Sequence, residues 1–470
     1  MQRNVALICT LLSAGRIWGQ TPQPAPNPAQ VDSPDELQKL KNTCGAFTFA
    51  GLSGCVEELF TGHPLHIAVG SIAPQNGFGA GLAYIGAKNT DNWRITWDAD
   101  AVASNNASWR AGVYVNFVHS GGGKITFHKG TKDFKSNLSD LPEHTVFSLY
   151  AQSISLNKLT YFGLGPTTSE AGRSFYGMME TIVGGHAVKP VYEPWKISLY
   201  GEVNGRFVNL RASNGQPSPS IGQLYTESTA PGLTTQPGTL QFGEGIRMTP
   251  VLAKDYVRLN YSATYQEYIA AGSSFSFQRL TFDIGHQFAL YGKTTRILTP
   301  RSGNGPDDCS LDPGVKNSEC PAAFTRNLEG SFGLRLLNVL SMTPGGDTVP
   351  FYYQPTMGGS DIDGDSSLAS YQDYRFRAPN LLLVRESFEH SVGKWPIGVV
   401  FMADEVKLGL RRGDLGAAPW LHSFSTGLTL RAGGFPEVFL LFAFGGHEGT
   451  HTVANVNTSL LGGSVRPSLY

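Results

Sequence analysis

Short runs in which apolar and polar residues alternate one for one dominate the sequence. In residues 93–101 (WRITWDADA) every odd position is apolar, and every even position is polar or charged. The same alternation recurs in residues 109–117, 197–207, 257–266, 280–288 and 424–431. A period of two is typical of β-strands whose two faces meet different environments. The pattern therefore predicts an all-β protein with many strands.

Composition narrows the class of protein further. Charged residues make up only 16% of the chain, aromatic residues 11%, and the formal net charge is −1. The apolar and aromatic content excludes disorder for most of the chain, and the near-zero charge gives no electrostatic case for a nucleic-acid partner. After the N-terminus no window is apolar for the roughly 18 residues that a membrane-spanning helix needs.

The polar faces of the alternating runs carry Arg, Asp and Glu, and the longer runs match the length of tilted strands that cross a bilayer. Six tryptophans lie near predicted strand ends, as in the aromatic girdles of membrane barrels. They are Trp93, Trp97, Trp109, Trp195, Trp395 and Trp420. We predict a transmembrane antiparallel β-barrel of about 16 strands, with lipid outside and a polar lumen. A secreted β-sandwich array and a secreted carbohydrate-binding β-protein are the alternatives.

The sequence of the N-terminal region predicts a targeting segment followed by a leader. Residues 1–19 combine a charged start with an apolar run, which predicts a secretory signal peptide. Residues 20–34 are a Pro-rich linker, residues 35–63 a short periplasmic leader or plug, and residues 64–470 the barrel. Export and a barrel together predict the bacterial outer membrane, with its lipid as a partner.

Four cysteines of the mature chain form two local pairs, Cys44 with Cys55 and Cys309 with Cys320. An even cysteine count in an exported chain favours disulfides within each pair. Isolated buried thiols are the alternative.

Two motifs have the residue types of metal sites. His447, Glu448 and His451 match H-E-x-x-H, but the flanking glycines and strand-like runs predict a hairpin loop instead of the required helix. Asp361, Asp363 and Asp365 are spaced like part of a calcium loop, yet a polar turn is the simpler interpretation. We therefore expect no metal, no cofactor and no enzymatic activity.

Several stretches in the last two-thirds of the chain carry a family likeness. They are residues 161–165 (YFGLG), 174–185 (SFYGMMETIVGG), Gly358 with Gly359, and residues 367–377, 398–404 and 425–431. In this order they resemble the bacterial surface antigen family, the barrel of outer-membrane assembly factors of the BamA/TamA type. The resemblance is clearest over residues 159–470. The aromatic Tyr470 matches the C-terminal assembly signal of such barrels.

The resemblance implies 16 strands and a sixth outer loop that folds into the lumen. In the family the loop tip reads (V/L)-R-G-(F/Y), and a wall strand bearing F-x-D-x-G holds it. The matching tip residues here are Leu368, Ala369, Ser370 and Tyr371, and the matching wall residue is Asp404. Because Ala369 stands where the family has arginine, a charge-assisted hydrogen bond is lost. Arg375 or Arg377 is a candidate replacement; alternatively, both are ordinary lumen arginines.

The resemblance also implies a function in outer-membrane protein insertion, assembly or translocation. A weak seam between the first and last strands would open and template incoming strands, and Gly462 and Gly463 suit such a seam. Residues 20–63 are too few for a POTRA module. The expected clients are unfolded outer-membrane proteins, and their capture would need a separate POTRA-bearing periplasmic chain. A passive pore or a structural surface barrel is the alternative function.

Overall fold

The structure, a computed structural model, describes residues 65–90, 92–119, 144–212, 219–253, 256–298, 321–392, 397–432, 435–456, 464 and 466–469. Several sequence predictions fall outside these residues. They concern the signal peptide, the linker and the leader, Cys44, Cys55, Cys309, Cys320, Trp395, Gly462, Gly463 and Tyr470.

The described chain forms one antiparallel sheet of 17 strands and a separate pair of two-residue strands. The strands are β1 Leu65–Ser71, β2 Phe78–Asn89, β3 Trp93–Ser104, β4 Trp109–His119, β5 Val146–Tyr161, β6 Ser174–Tyr192, β7 Ile197–Ala212, β8 Thr239–Met248, β9 Val251–Leu252, β10 Val257–Ala270, β11 Phe277–Leu298, β12 Pro321–Met342, β13 Thr356–Met357, β14 Phe376–Arg377, β15 Asn380–Ser391, β16 Ile397–Gly409, β17 Leu421–Ala432, β18 Phe435–Gly446 and β19 Gly449–Val456. Each long strand pairs with the next along the chain.

The sheet corresponds to sixteen passes of the chain, as predicted. Strands β8 and β9 both pair with β10, and only Thr249 and Pro250 separate them. Proline has no N–H to donate to a ladder, so the interruption divides one pass into two strands. The remaining fifteen strands of the sheet are one pass each.

Helical structure in the described residues is confined to single turns. They are the α-helical turns Ile221–Leu224 and Asp414–Ala417 and the 3₁₀ turns Glu170–Gly172, Glu193–Trp195 and Phe351–Tyr353. Within this part of the chain, no helix has the length and apolarity that a membrane span requires.

Exposure along the strands identifies which face meets lipid. On β7 the apolar side chains of Leu199, Val203 and Phe207 are 47%, 49% and 56% exposed, whereas Asn204 and Arg206 are buried. A water-soluble sandwich would bury the apolar face and solvate the charged one. The reverse arrangement is that of a membrane barrel with lipid outside and polar residues inside. The predicted fold class, a transmembrane antiparallel β-barrel, is confirmed, and the β-sandwich alternative is wrong.

Four of the predicted girdle tryptophans lie at strand ends. Trp93 and Trp109 are the first residues of β3 and β4, Trp195 follows β6, and Trp420 precedes β17. Trp97 lies within β3 instead.

The interior of the sheet is filled by residues 343–379, which connect β12 to β15 and which we call the lumen loop. The Phe351 ring packs on Tyr161 and Tyr176 of β5 and β6, with ring centroids 5.0 and 5.3 Å apart. The adjacent Tyr353 packs on Tyr268 of β10 at 5.5 Å. Because strands far apart in the sheet contact the same loop, the sheet curves around it, and the core lies inside the barrel.

Candidate functional site

Two adjacent glycines turn the lumen loop back on itself. Gly358 and Gly359 have φ angles of +104° and +58°, which side chains disfavour. A Cβ atom on Gly359 would lie 2.5 Å from the Asp373 carboxylate and 2.6 Å from its backbone nitrogen. The Ser360 N–H donates to the same carboxylate at 2.9 Å. The turn lets β13 and β14 pair as the two arms of a hairpin inside the barrel.

The loop tip is buried against the barrel wall. Leu368, Ala369, Ser370 and Tyr371 are each at most 3% exposed. The Leu368 N–H donates to Asp404 Oδ2 of β16 at 2.8 Å, and the Ser370 N–H donates to Ser423 Oγ of β17 at 2.9 Å. The structure thus brings together the tip and the wall residue that the sequence analysis singled out.

Arg385 on β15 is the arginine that pairs with Asp404. Its guanidinium donates to both carboxylate oxygens, at 2.6 and 3.0 Å, and also to the Ser366 carbonyl of the lumen loop. Sequence reasoning missed this residue. Strands β15 and β16 form a hairpin in which Arg385 lies directly opposite Asp404. Pairing these two strands in the sequence would therefore have brought the opposite charges together.

Arg375, one of the two candidates to replace the family's tip arginine, makes its contacts elsewhere in the lumen. It donates to the Thr168 hydroxyl and carbonyl, both at 2.7 Å, and to the Glu448 carboxylate. Its guanidinium lies between the rings of Phe162 and Phe376, 4.8 and 4.6 Å from the centroids. Arg375 therefore ties the lumen loop to the β5–β6 and β18–β19 connections.

Arg377, the other candidate, is also buried and does not contact Asp404 in the described residues. It donates to the Phe351 carbonyl and, at 3.2 Å, to the Tyr176 hydroxyl of β6. Its guanidinium also faces the rings of Tyr161 and Phe351. Both candidate arginines fix the lumen loop, but Arg385 makes the charged contact with Asp404.

The two metal-like motifs have other structural roles. His447 and Glu448 form the turn between β18 and β19, so the predicted hairpin is confirmed. Burial raises the pKa of Glu448, and the neighbouring Arg375 opposes this rise. The Asp361 carboxylate accepts the Asp365 N–H at 2.8 Å and closes a polar turn. Across the described residues no group of three or more His, Cys, Asp or Glu is placed to hold a metal ion.

These contacts define a class of protein: a transmembrane β-barrel whose lumen holds an inward-folded loop, anchored at its tip on the wall strands.

Comparison with known proteins shows similarity at the level of structure alone. The chain matches no protein-family model and no curated protein sequence. CdiB from Acinetobacter baumannii is similar at 12% identity and a TM-score of 0.40, over 84% of this chain and 57% of that one. CdiB from Escherichia coli is similar at 12% identity and a TM-score of 0.45, over 81% of this chain and 58% of that one. BamA from Haemophilus ducreyi lacking POTRA domains 1–3 is similar at 9% identity and a TM-score of 0.45, over 84% of this chain and 69% of that one. The chain spans less than two-thirds of either CdiB chain.

Proposed function

We propose that this protein is an outer-membrane barrel of the bacterial surface antigen type that acts in protein insertion or translocation. The observation that carries the proposal is the contact between the Leu368 N–H and Asp404. It lies at the tip and wall positions that the family resemblance assigns, although the tip has no arginine. The arrangement keeps the loop–wall anchor and moves its positive charge to Arg385 of the wall.

In the proposed mechanism, the lumen loop occupies the barrel interior while the seam between the first and last strands pairs with an incoming strand. An exposed strand edge presents unpaired N–H and C=O groups, which template the pairing of a client by augmentation. Unfolded outer-membrane proteins are the proposed clients, delivered by a separate periplasmic chain with POTRA modules. Lipid contacts the apolar outer face, and the mechanism needs no cofactor, metal or catalytic residue.

The test is the folding rate of an unfolded outer-membrane protein added to liposomes that do or do not contain the purified barrel. We expect faster folding with the barrel. The matched control is an equal amount of a barrel of similar size from outside this family, which accounts for bilayer perturbation. Equal rates with the two barrels would overturn the proposal.

A passive pore is the second candidate, and one feature of the lumen favours it. A cavity of about 390 Å³ lies between the lumen loop and the wall, lined by charged residues that include Arg279, Asp283 and Arg335. A steady conductance in planar bilayers, without acceleration of client folding, would support the pore. A closed or flickering conductance with acceleration would support insertion.

A further inference from the structure

Ser464 and residues 466–469 lie inside the barrel, on the wall opposite the tip anchor. The Ser464 N–H donates to Asp100 Oδ2 of β3 at 2.8 Å, and Arg110 of β4 donates to the Ser464 carbonyl. Asp100 and Arg110 form an ion pair with each other, and both are buried. A charged pair of wall residues therefore binds both backbone groups of Ser464.

A second charged pair binds the other end of the segment. Arg206 of β7 donates to the Ser468 carbonyl at 2.9 Å and pairs with Glu180 of β6 at 2.8 Å. Ser468 is four positions after Ser464, a separation that can span at most about 14 Å, close to three strand spacings of about 4.8 Å each. The segment thus has the length needed to cross the inner face of the wall from β4 to β7.

The same segment binds the lumen loop through one carboxylate. Asp363 accepts the Ser468 hydroxyl at 2.7 Å and the Leu469 N–H at 3.2 Å, and it pairs with Arg466 at 2.9 Å. Arg466 also donates to the Ile362 carbonyl at 2.9 Å. Leu469 is 1% exposed and belongs to the apolar cluster that contains Phe351.

We propose that Ser464 and residues 466–469 form a luminal strap that clamps the lumen loop to the β4–β7 wall and keeps the lumen closed. The loop is then held from two sides, by Asp404 at its tip and by the strap at Asp363. Release of the strap frees the Asp363 side of the loop and widens the path through the barrel. This inference goes beyond the proposed function, because closure of the lumen requires no client.

Single-channel recordings in planar bilayers test the strap with three variants. Arg466→Ala removes the ion pair with Asp363, whereas Arg466→Lys keeps a positive charge. Arg258→Ala is the matched control, because Arg258 lies on the polar face of β10 that also carries the cavity residues Ser262 and Thr264, but does not itself line the cavity. Loss of one charge-assisted hydrogen bond shifts an equilibrium by roughly tenfold. We expect a roughly tenfold increase in the open fraction for Arg466→Ala, and near-native recordings for Arg466→Lys and Arg258→Ala.

Two outcomes overturn the proposal: native conductance in a correctly folded Arg466→Ala barrel, or an equal increase in Arg258→Ala, which would reflect loss of lumen charge alone. If Arg466→Ala does not fold, Asp363→Asn breaks the same clamp from the loop side and is judged by the same criteria. Because no client is present in the recordings, failure here is distinguishable from failure of the insertion assay.

Discussion

The ion pair of Arg385 with Asp404 is only partly open to solvent, with side chains 18% and 4% exposed. Arg385→Met would leave the Asp404 carboxylate buried without its charged partner. Breaking such a pair destabilises a protein by about 3 kcal/mol. We expect that loss in urea unfolding in lipid vesicles, followed by tryptophan fluorescence.

A double-mutant cycle separates the ion pair from the backbone contact. Asp404→Asn removes the charge but keeps an oxygen that can accept the Leu368 N–H. We expect the double variant Arg385→Met/Asp404→Asn to lose less stability than the sum of the two single variants. Strict additivity would show that Arg385 and Asp404 are not energetically coupled.

The glycine turn offers a matched pair of substitutions at the same backbone angle. Gly359 has a φ of +58° and Gly345 a φ of +59°, but only Gly359 has neighbours that a Cβ would strike. Gly345→Ala should cost about 1 kcal/mol for the left-handed backbone alone. Gly359→Ala should cost a further 1 to 3 kcal/mol, roughly, for overpacking against Asp373. Equal losses in urea unfolding would mean that the loop relaxes around the methyl group.

The raised pKa of Asp373 predicts that the stability of the barrel depends on pH. Burial raises its pKa, while the Ser360 N–H, His451 and Lys158 partly oppose the rise. A carboxyl with a raised folded-state pKa binds its proton more tightly in the folded protein. Its contribution to stability is therefore complete below the pKa of the unfolded state, about 3.9, and is lost as pH rises through the pKa of the folded state.

We expect unfolding free energies measured from about pH 4 to about pH 7 to fall less steeply in Asp373→Asn than in the native chain. Asp365→Asn, at an exposed aspartate of the same loop, is the control for charge removal in general. Identical pH profiles for the native chain and Asp373→Asn would contradict the assignment.

At the scale of single strands, the lipid-facing side can be tested with two equally exposed valines. Val203 lies within β7 and Val191 next to the end of β6, and both are 49% exposed. Arginine on the lipid face costs about 2–4 kcal/mol at the bilayer midplane and about 0–1 near the interface. Val203→Arg should therefore impair folding into liposomes strongly and Val191→Arg only slightly. Equal effects would place the bilayer elsewhere on the barrel.

Strand faces were predictable from the sequence, whereas the way the lumen loop is held was not. Alternation assigned the outward Leu199, Val203 and Phe207 and the inward Arg206 correctly, because the period of a strand is a local property. The loop has no period, and its contacts depend on which strands meet across the lumen. Arg385 was missed for that reason: its role follows from register with β16 and from the path of the loop.

For the whole molecule, replacing residues 356–377 with a short Gly/Ser linker should leave the sheet intact, because consecutive strands pair locally. The variant should show a large, steady conductance in planar bilayers, since the tip and the Asp363 contacts are gone. Replacing residues 411–417, a connection outside the lumen loop, is the control and should leave the conductance native. A closed lumen in the first variant would mean that other segments block it.

Sixteen passes and an outer lipid face were correct predictions for the described part of the chain, because length and alternation constrain both. The strap was not foreseen. Its contacts join Ser464 to Asp100 and Ser468 to Arg206, across several hundred positions of sequence, and carry no local pattern.

The position of the positive charge at the tip anchor affects how the loop responds to an electric field. Residues 368–371 carry no charge, and Arg385 stays on the wall with Asp404 if the tip moves away. An arginine on the tip would have to leave its partner and travel through the transmembrane voltage, at about 2.3 kcal/mol per elementary charge per 100 mV. Here the tip can withdraw without separating that ion pair and without moving charge of its own. Its release should therefore respond to force from a bound chain more than to voltage.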